Sequence, residues 1–466
     1  MPLFRRPHTV LAASLAALLV ACTPTPPAGE DADARLLGRL FDAEHGRVIE
    51  DGEVVIADGR VRCAGPRDGC PVGADTPVHD HGDALILPGL IDLHVHVRPQ
   101  FVGAFVPAGV TTVRDANSTL AMLETLRADP QAPRMHVTGP MIDGPGSVLL
   151  DMPDATPGDD IPLPERMPLV ADSPEAAAAA VQALAEAGVD WIKLYEQLPP
   201  AVFDAAVRAA QDAQLPVMAD LGIALTRGLA GAEVDIVQAA RAGVATNEHL
   251  SGLALAYQRR GGDVAADTLD DALLDAIVAD IAATGMAVVP TAANTLQFAE
   301  PDPAAPDTVP GAAVLAPHFA GYWDHLVGMV AQVEGRTRTD RALLQATLPR
   351  LHAAGVPVGA GSDLPAGPYM LPGGALHQEL VALVDIGLTP AQALQAATWQ
   401  AARILRADDI GHLQPGARAD LLVVDGDPLQ RIEDTRQVRS VWFDGREVDL
   451  EAAWARVGEM LEAAAR

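Results

Sequence analysis

The stretch Leu90-Ile91-Asp92-Leu93-His94-Val95-His96-Val97 reads as a β-strand that carries two metal-binding side chains near its end. Side chains alternate along a strand, so Ile91, Leu93, Val95 and Val97 share an apolar face while Leu90, Asp92, His94 and His96 share the other. Both imidazoles therefore point the same way. An apolar face packed on helices, with a polar end turned inward, suits the first strand of a parallel barrel whose site lies at its mouth. A His-x-His strand alone fits a surface or a packed core as well, so its meaning rests on the other strands.

Composition narrows the classes. With 466 residues, 49% of them hydrophobic, the chain can bury a large core. A barrel of about 250 to 400 residues plus a smaller domain fits that length. Basic residues number 32 against 62 acidic ones, a balance that repels polyanions and argues against nucleic-acid binding. At the N-terminus, Arg5 and Arg6 precede the apolar run Val10 to Ala21, too short to span a bilayer but laid out like a secretory signal. The run ends Leu19-Val20-Ala21-Cys22, which resembles a bacterial lipobox. On that reading 1–21 is a signal peptide, Cys22 is lipidated, and the Pro- and acid-rich residues 22–34 tether an exported, membrane-anchored protein facing the periplasm or cell exterior. A plain secretory signal is the alternative. Cys63 and Cys70 bracket the turn-prone Ala-Gly-Pro-Arg-Asp-Gly, and an oxidising compartment favours a disulfide between them over two buried thiols.

Short strands separated by Gly and Asp turns occupy 35–87, and a second such group falls within 413–449. The two groups predict one small β-sandwich domain built from both chain ends. Between them, residues 88–412 alternate apolar strand-like runs with helical ones, the pattern of β-α units in an α/β protein. Eight strands are expected, at 90–97, 110–115, 134–139, 189–195, 215–220, 244–249, 286–291 and 356–363. Eight units close a (β/α)8 TIM barrel, which carries its catalytic groups at the C-terminal strand ends. Residues 450–466 read as a final helix. The connections 140–172 and 292–338 are expected to be long loops covering the site; the second carries His318, Tyr322, Trp323 and His325, and its histidines are expected in packing or solvent roles.

Other strand ends test the opening idea. Strand four, Val189-Asp190-Trp191-Ile192-Lys193-Leu194-Tyr195, turns Trp191, Lys193 and Tyr195 to one face. Lys193 is the only lysine, so 31 of the 32 basic residues are arginines. A chain so biased towards arginine would use it wherever a plain positive charge suffices. A desolvated lysine can lose its proton, and guanidinium effectively cannot. The amine could then form a Schiff base or add carbon dioxide to give a carbamate, and the nearby histidines favour the carbamate; a plain ion pair is the remaining option. Strand six ends Asn247-Glu248-His249, and strand eight runs Gly359-Ala360-Gly361-Ser362-Asp363.

Together these pieces resemble the amidohydrolase superfamily, in the group related to imidazolonepropionase and prolidase. The resemblance extends over about 35–447 and is carried by Pro88-Gly89-Leu90-Ile91-Asp92-Leu93-His94-Val95-His96, Gly109-Val110-Thr111-Thr112-Val113-Arg114-Asp115, Ile192-Lys193-Leu194-Tyr195, Asn247-Glu248-His249-Leu250 and Gly361-Ser362-Asp363. It implies two divalent metal ions, usually zinc, one held by His94, His96 and Asp363 and the other by His249 and a strand-five ligand, bridged by carboxylated Lys193. Strand five departs from the pattern: Pro216-Val217-Met218-Ala219-Asp220 places Asp220 where histidine is usual. Carboxylate oxygen is an acceptable zinc ligand, and an added carboxylate makes manganese more plausible. The implied chemistry is hydrolysis of a peptide-like amide bond by metal-bound hydroxide, with Asp363 as general base and then acid, on a small molecule or a dipeptide as in prolidases. Tyr195 and Arg114 are candidates to hold a substrate carboxylate, unless they pack or, for Arg114, pair with Asp115; Glu248 reads as structural. Lactone, ester or organophosphate hydrolysis would use the same site. A catalytically weak binding lipoprotein follows if Asp220 breaks the second metal position. The sequence leaves a homo-oligomer open.

Overall fold

The computed structural model describes residues 32–151, 155–156, 160–227 and 229–466. The signal segment, Cys22 and nearly all of the tether lie outside the described residues. No helix among the described residues is long and apolar enough to cross a membrane.

Both chain ends contribute to one seven-stranded mixed sheet. Its order is Arg446–Glu447, Val438–Phe443, Leu421–Val424, Val78–Pro88, Ala34–Asp42, Arg47–Ala57 and Arg60–Pro66. The junction is antiparallel, with Leu421 opposite Pro88 and Val424 opposite Leu85. Period-two alternation decides the faces: Ala84, Ile86, Leu421 and Val423 fill a small core of their own, while Leu85, Leu87, Leu422 and Val424 face the large central core. The expected sandwich of two sheets is thus, in hydrogen bonding, a single continuous sheet. The 11-residue strand Val78–Pro88 pairs with both halves, and a register shift between Leu37 and Arg39 bends the pairing. Cys63 and Cys70 are joined in a disulfide with their Cα atoms 5.8 Å apart.

The middle of the chain is α/β with parallel strands. Leu90–Val95, Val110–Asp115 and Arg134–Val137 form one parallel sheet. A second runs in the order Ala287–Val289, Thr246–Glu248, Val217–Ala219, Ile192–Leu194, Ile142–Asp143 and Leu169–Val170. Helices between them begin where capping residues dictate. Asp235 and Gln238 form a capping box that opens Ile236–Ala242, and Thr389 with Gln392 does the same for Pro390–Ala396.

Two expectations are corrected. Segment 356–363 makes only the isolated parallel bridge of Val358 with Val288, and Leu364 just beyond it bridges Val95, in place of a strand ladder. A side chain at Gly361 would sit 2.6 Å from Val289 and 2.9 Å from His94, so the backbone passes too close for ordinary pleating. The expected loop 292–338 holds the helices Ala292–Ala299 and Ala312–Val330 and the start of Glu334–Ala353. Leu315, Phe319, Trp323 and Leu326 supply a buried helical stripe. Pro317 sits inside this helix.

Candidate active site and metal centre

His94, His96, Lys193, Tyr195, Asp220, His249 and Asp363 come from four strand ends and the segment 356–363 and line one cavity of about 690 Å³. His94, His249 and Asp363 offer ligand atoms that all lie within 4.8 Å of one another. Asp363 Oδ1 is 3.1 Å from His96 Nε2 and 3.5 Å from His94 Nε2, while Asp220 Oδ2 is 3.4 Å from His249 Nε2. The donors are two nitrogens facing one carboxylate and a third nitrogen facing another. Such a set of imidazoles and carboxylates suits a first-row divalent ion.

The backbone is forced to deliver these groups. His249, Thr291 and Asp363 adopt left-handed conformations with φ of 62°, 44° and 56°, uncommon for residues with side chains. Hydrogen bonds hold them there. His249 Nδ1 lies 2.6 Å from Thr291 Oγ1, the Asp363 amide donates to His94 O at 2.7 Å, and Asn294 Nδ2 donates to Asp363 Oδ2 at 3.2 Å.

A buried ion pair orients His94. Its Nδ1 is 2.7 Å from Glu248 Oε2, and Arg114 Nη2 donates to Glu248 Oε1 at 2.9 Å. Arg114 also donates to Leu93 O at 2.6 Å and to Thr246 Oγ1 at 3.0 Å, and its guanidinium lies 4.5 Å over the Trp191 ring. With the Nδ1 proton directed at Glu248, the Nε2 lone pair of His94 is left for the cluster. This corrects the expectation for Arg114. Its side chain is fully buried, its ion partner is Glu248 and not Asp115, and it does not line the cavity.

Burial sets the protonation of the remaining groups. It lowers the Lys193 pKa, an effect only partly offset by Asp220, Glu248 and Asp363, so the neutral amine becomes more accessible. Burial and the charges of Asp220 and Glu196 push the Tyr195 phenol well above its usual range, which keeps it a hydrogen-bond donor.

Sequence reasoning missed several supporting residues. Asp92 accepts from Ser362 Oγ at 2.6 Å and from the Ser362 amide at 3.0 Å, fixing the residue before Asp363, and burial raises its carboxyl to about 7. The inward face of the first strand could have revealed Asp92; Thr291 ends the expected strand 286–291 without having been singled out, and Asn294 lay in the stretch read as loop. Glu379 anchors the helix that carries Asn294, accepting from the Ala293 amide at 2.7 Å, and burial raises its carboxyl to about 8. The unfolded chain releases that proton near the ordinary glutamate value. The stabilisation is therefore complete below that value and is lost as pH rises through about 8. Glu379→Gln should flatten this dependence, with the urea midpoint falling less between pH 5 and 8.5 than in the wild type. The gain at the alkaline end should be on the order of 3 kcal/mol, and parallel curves would contradict the assignment.

The amidohydrolase family model matches residues 85–448, and the chain belongs to that family. An adenine deaminase of Paracoccus denitrificans is 37% identical over 82 residues, which are 16% of this chain and only 14% of that enzyme's length. A Mycobacterium tuberculosis protein of uncharacterised function is 29% identical over 390 residues, covering 80% of this chain and 86% of its own. A prolidase solved in complex with N-methylphosphonate-L-proline shares the fold with a TM-score of 0.64 and 23% identity, over 89% of this chain and 99% of that one.

Proposed function

We propose that this chain is a metal-dependent hydrolase that cleaves an amide bond of a small, peptide-like substrate. The observation that carries the reading is the convergence of His94, His249 and Asp363 beside the buried Lys193. His96 and Asp220 complete a donor set that would hold two divalent ions, with zinc favoured, and Lys193 in its carboxylated form would add an anionic ligand to that set. Its neutral amine adds carbon dioxide and releases one proton, giving a carbamate. The prolidase fold neighbour supports a dipeptide-like substrate. We read the two parallel sheets as one (β/α)8 barrel, supported by the bridges of segment 356–364 and by the amides of Asp190 and Trp191 donating to Val137 O. An experimental structure with these two sheets held apart would contradict the barrel.

Bound divalent ions supply a Lewis acid for the scissile carbonyl and lower the pKa of water at the site. The chain's own groups do the rest. Asp363, with Oδ2 held by Asn294, accepts the proton of the attacking water and passes it to the departing nitrogen. Glu248 keeps His94 turned towards Asp363. Tyr195 presents its phenolic proton to a substrate oxygen in the cavity.

Asp220 gives the donor set one more negative charge than histidine would, which holds protons at the site more tightly. The acid limb of the pH-rate profile should therefore lie at lower pH in Asp220→His than in the wild type. A profile without that acid-side shift counts against Asp220 as a ligand. The overall reading is tested by assaying the metal-loaded protein against dipeptides, N-acyl amino acids and lactones. Amide turnover abolished by a chelator and restored by the ion is the expected result; protein that takes up no divalent ion, or metal-loaded protein that turns over none of the amides, would overturn it.

A further inference from the structure

One residue of the cavity lining, Leu461, comes from outside the family-matched region. The match ends at residue 448, and the helix Leu450–Ala464 follows it. Ala453, Val457 and Leu461 form this helix's buried stripe, and Leu461, 6% exposed, lines the cavity that holds the metal-ligand cluster. The helix is held firmly in place. Arg456 binds both Asp129 oxygens at 2.9 and 2.7 Å and Gln131 at 2.8 Å. Gly311, at φ +77°, lies so close to the Trp454 ring that a side chain there would collide with it.

The neighbouring wall is aromatic. Only 4% of the chain is aromatic, yet Phe101, Phe319, Trp323 and Tyr369 form a row with ring centroids 6.1, 6.2 and 5.5 Å apart. Phe101, Phe319 and Met141 line the cavity together with Leu461. The cavity lining thus combines the polar metal-binding groups with these apolar side chains, and Arg98, Gln100, Asn117, His318 and Tyr322 also line it. Clefts of about 300–1,000 Å³ hold drug-sized ligands, so a cavity of about 690 Å³ leaves room beyond the scissile amide.

We infer that this wall selects amides bearing a bulky apolar group, an aromatic ring or a long acyl chain, and that Leu461 limits how large the group can be. The inference rests on the amide-hydrolase reading and names its substrate class. Apolar surface moved from water into such a wall is favoured in proportion to its area.

The test is a series of N-acyl derivatives of one amino acid, from acetyl through octanoyl and phenylacetyl, given to the metal-loaded full chain. The phenylacetyl-to-acetyl ratio of kcat/KM should be at least about tenfold in the wild type. Leu461→Trp should cut that ratio several-fold by filling the space, whereas Leu461→Ala should move the preference towards the longer acyl chain. Circular dichroism confirms that each variant is folded. A flat wild-type series, or a preference unchanged in both variants, overturns the inference. Calorimetric binding of the same compounds separates the two readings. If nothing is hydrolysed yet the phenylacetyl compound binds at least about tenfold more tightly than the acetyl one, the wall stands and the hydrolase reading fails. Equal affinities would remove the wall's role as well.

Discussion

Lys193→Ala is expected to lower kcat/KM by at least about a thousandfold and to leave the folded protein deficient in metal. Lys193 is 1% exposed, lines the cavity beside Asp220, His249 and Asp363, and is the only lysine in 466 residues. Burial disfavours its ammonium form, which is the condition for the amine to take up carbon dioxide. Lys193→Arg separates this role from a plain ion pair. Guanidinium keeps the charge but cannot form the carbamate, so this variant should be as inactive and as metal-poor as the alanine variant. A small carboxylic acid added to Lys193→Ala should restore part of both properties by placing a carboxylate in the vacated space. Substantial activity in Lys193→Arg would show that only the positive charge matters.

The second large effect is on stability. Arg114→Met should cost about 3–5 kcal/mol, because it leaves Glu248 buried without its cation. Glu248 is 0% exposed, and the lost guanidinium also strips a donor from Leu93 O. Glu248 would retain Thr246 Oγ1, which donates to it at 2.5 Å, and that bond cannot replace a counter-charge. Urea denaturation measures the cost directly. Glu248 also orients His94, so affinity for the ion should fall by about 10–100-fold in the same variant. Chelator competition on protein held below its unfolding transition reads this separately, and full stability with unaltered metal affinity would contradict the ion pair's role.

The metal-ligand candidates were legible because each lies at the end of a short apolar run, where period-two alternation shows which side chains share a face. That rule placed His94, Lys193, His249 and Asp363 at segment ends, and the family resemblance supplied their joint reading as ligands. Arg114 was misread because its partner, Glu248, is 134 residues away and belongs to another strand. Spacing along one segment cannot show such a pairing. The helices within 292–338 were passed over although Leu315, Phe319, Trp323 and Leu326 recur at helical spacing. That misreading also concealed Asn294, which holds Asp363, while Thr291, which holds His249, ends the expected strand 286–291 and was passed over. The small β domain was visible as strands at both ends. Its continuity as one sheet depends on Val78–Pro88 pairing in two directions, which no local pattern reveals.

The most direct test of the account is the metal content of the purified protein, measured together with carbon-13 NMR after equilibration in labelled bicarbonate. The account predicts about two divalent ions per chain and a carbamate carbon that disappears in Lys193→Ala. Protein that binds no divalent ion, with Lys193 present as a free amine under the same conditions, would contradict it.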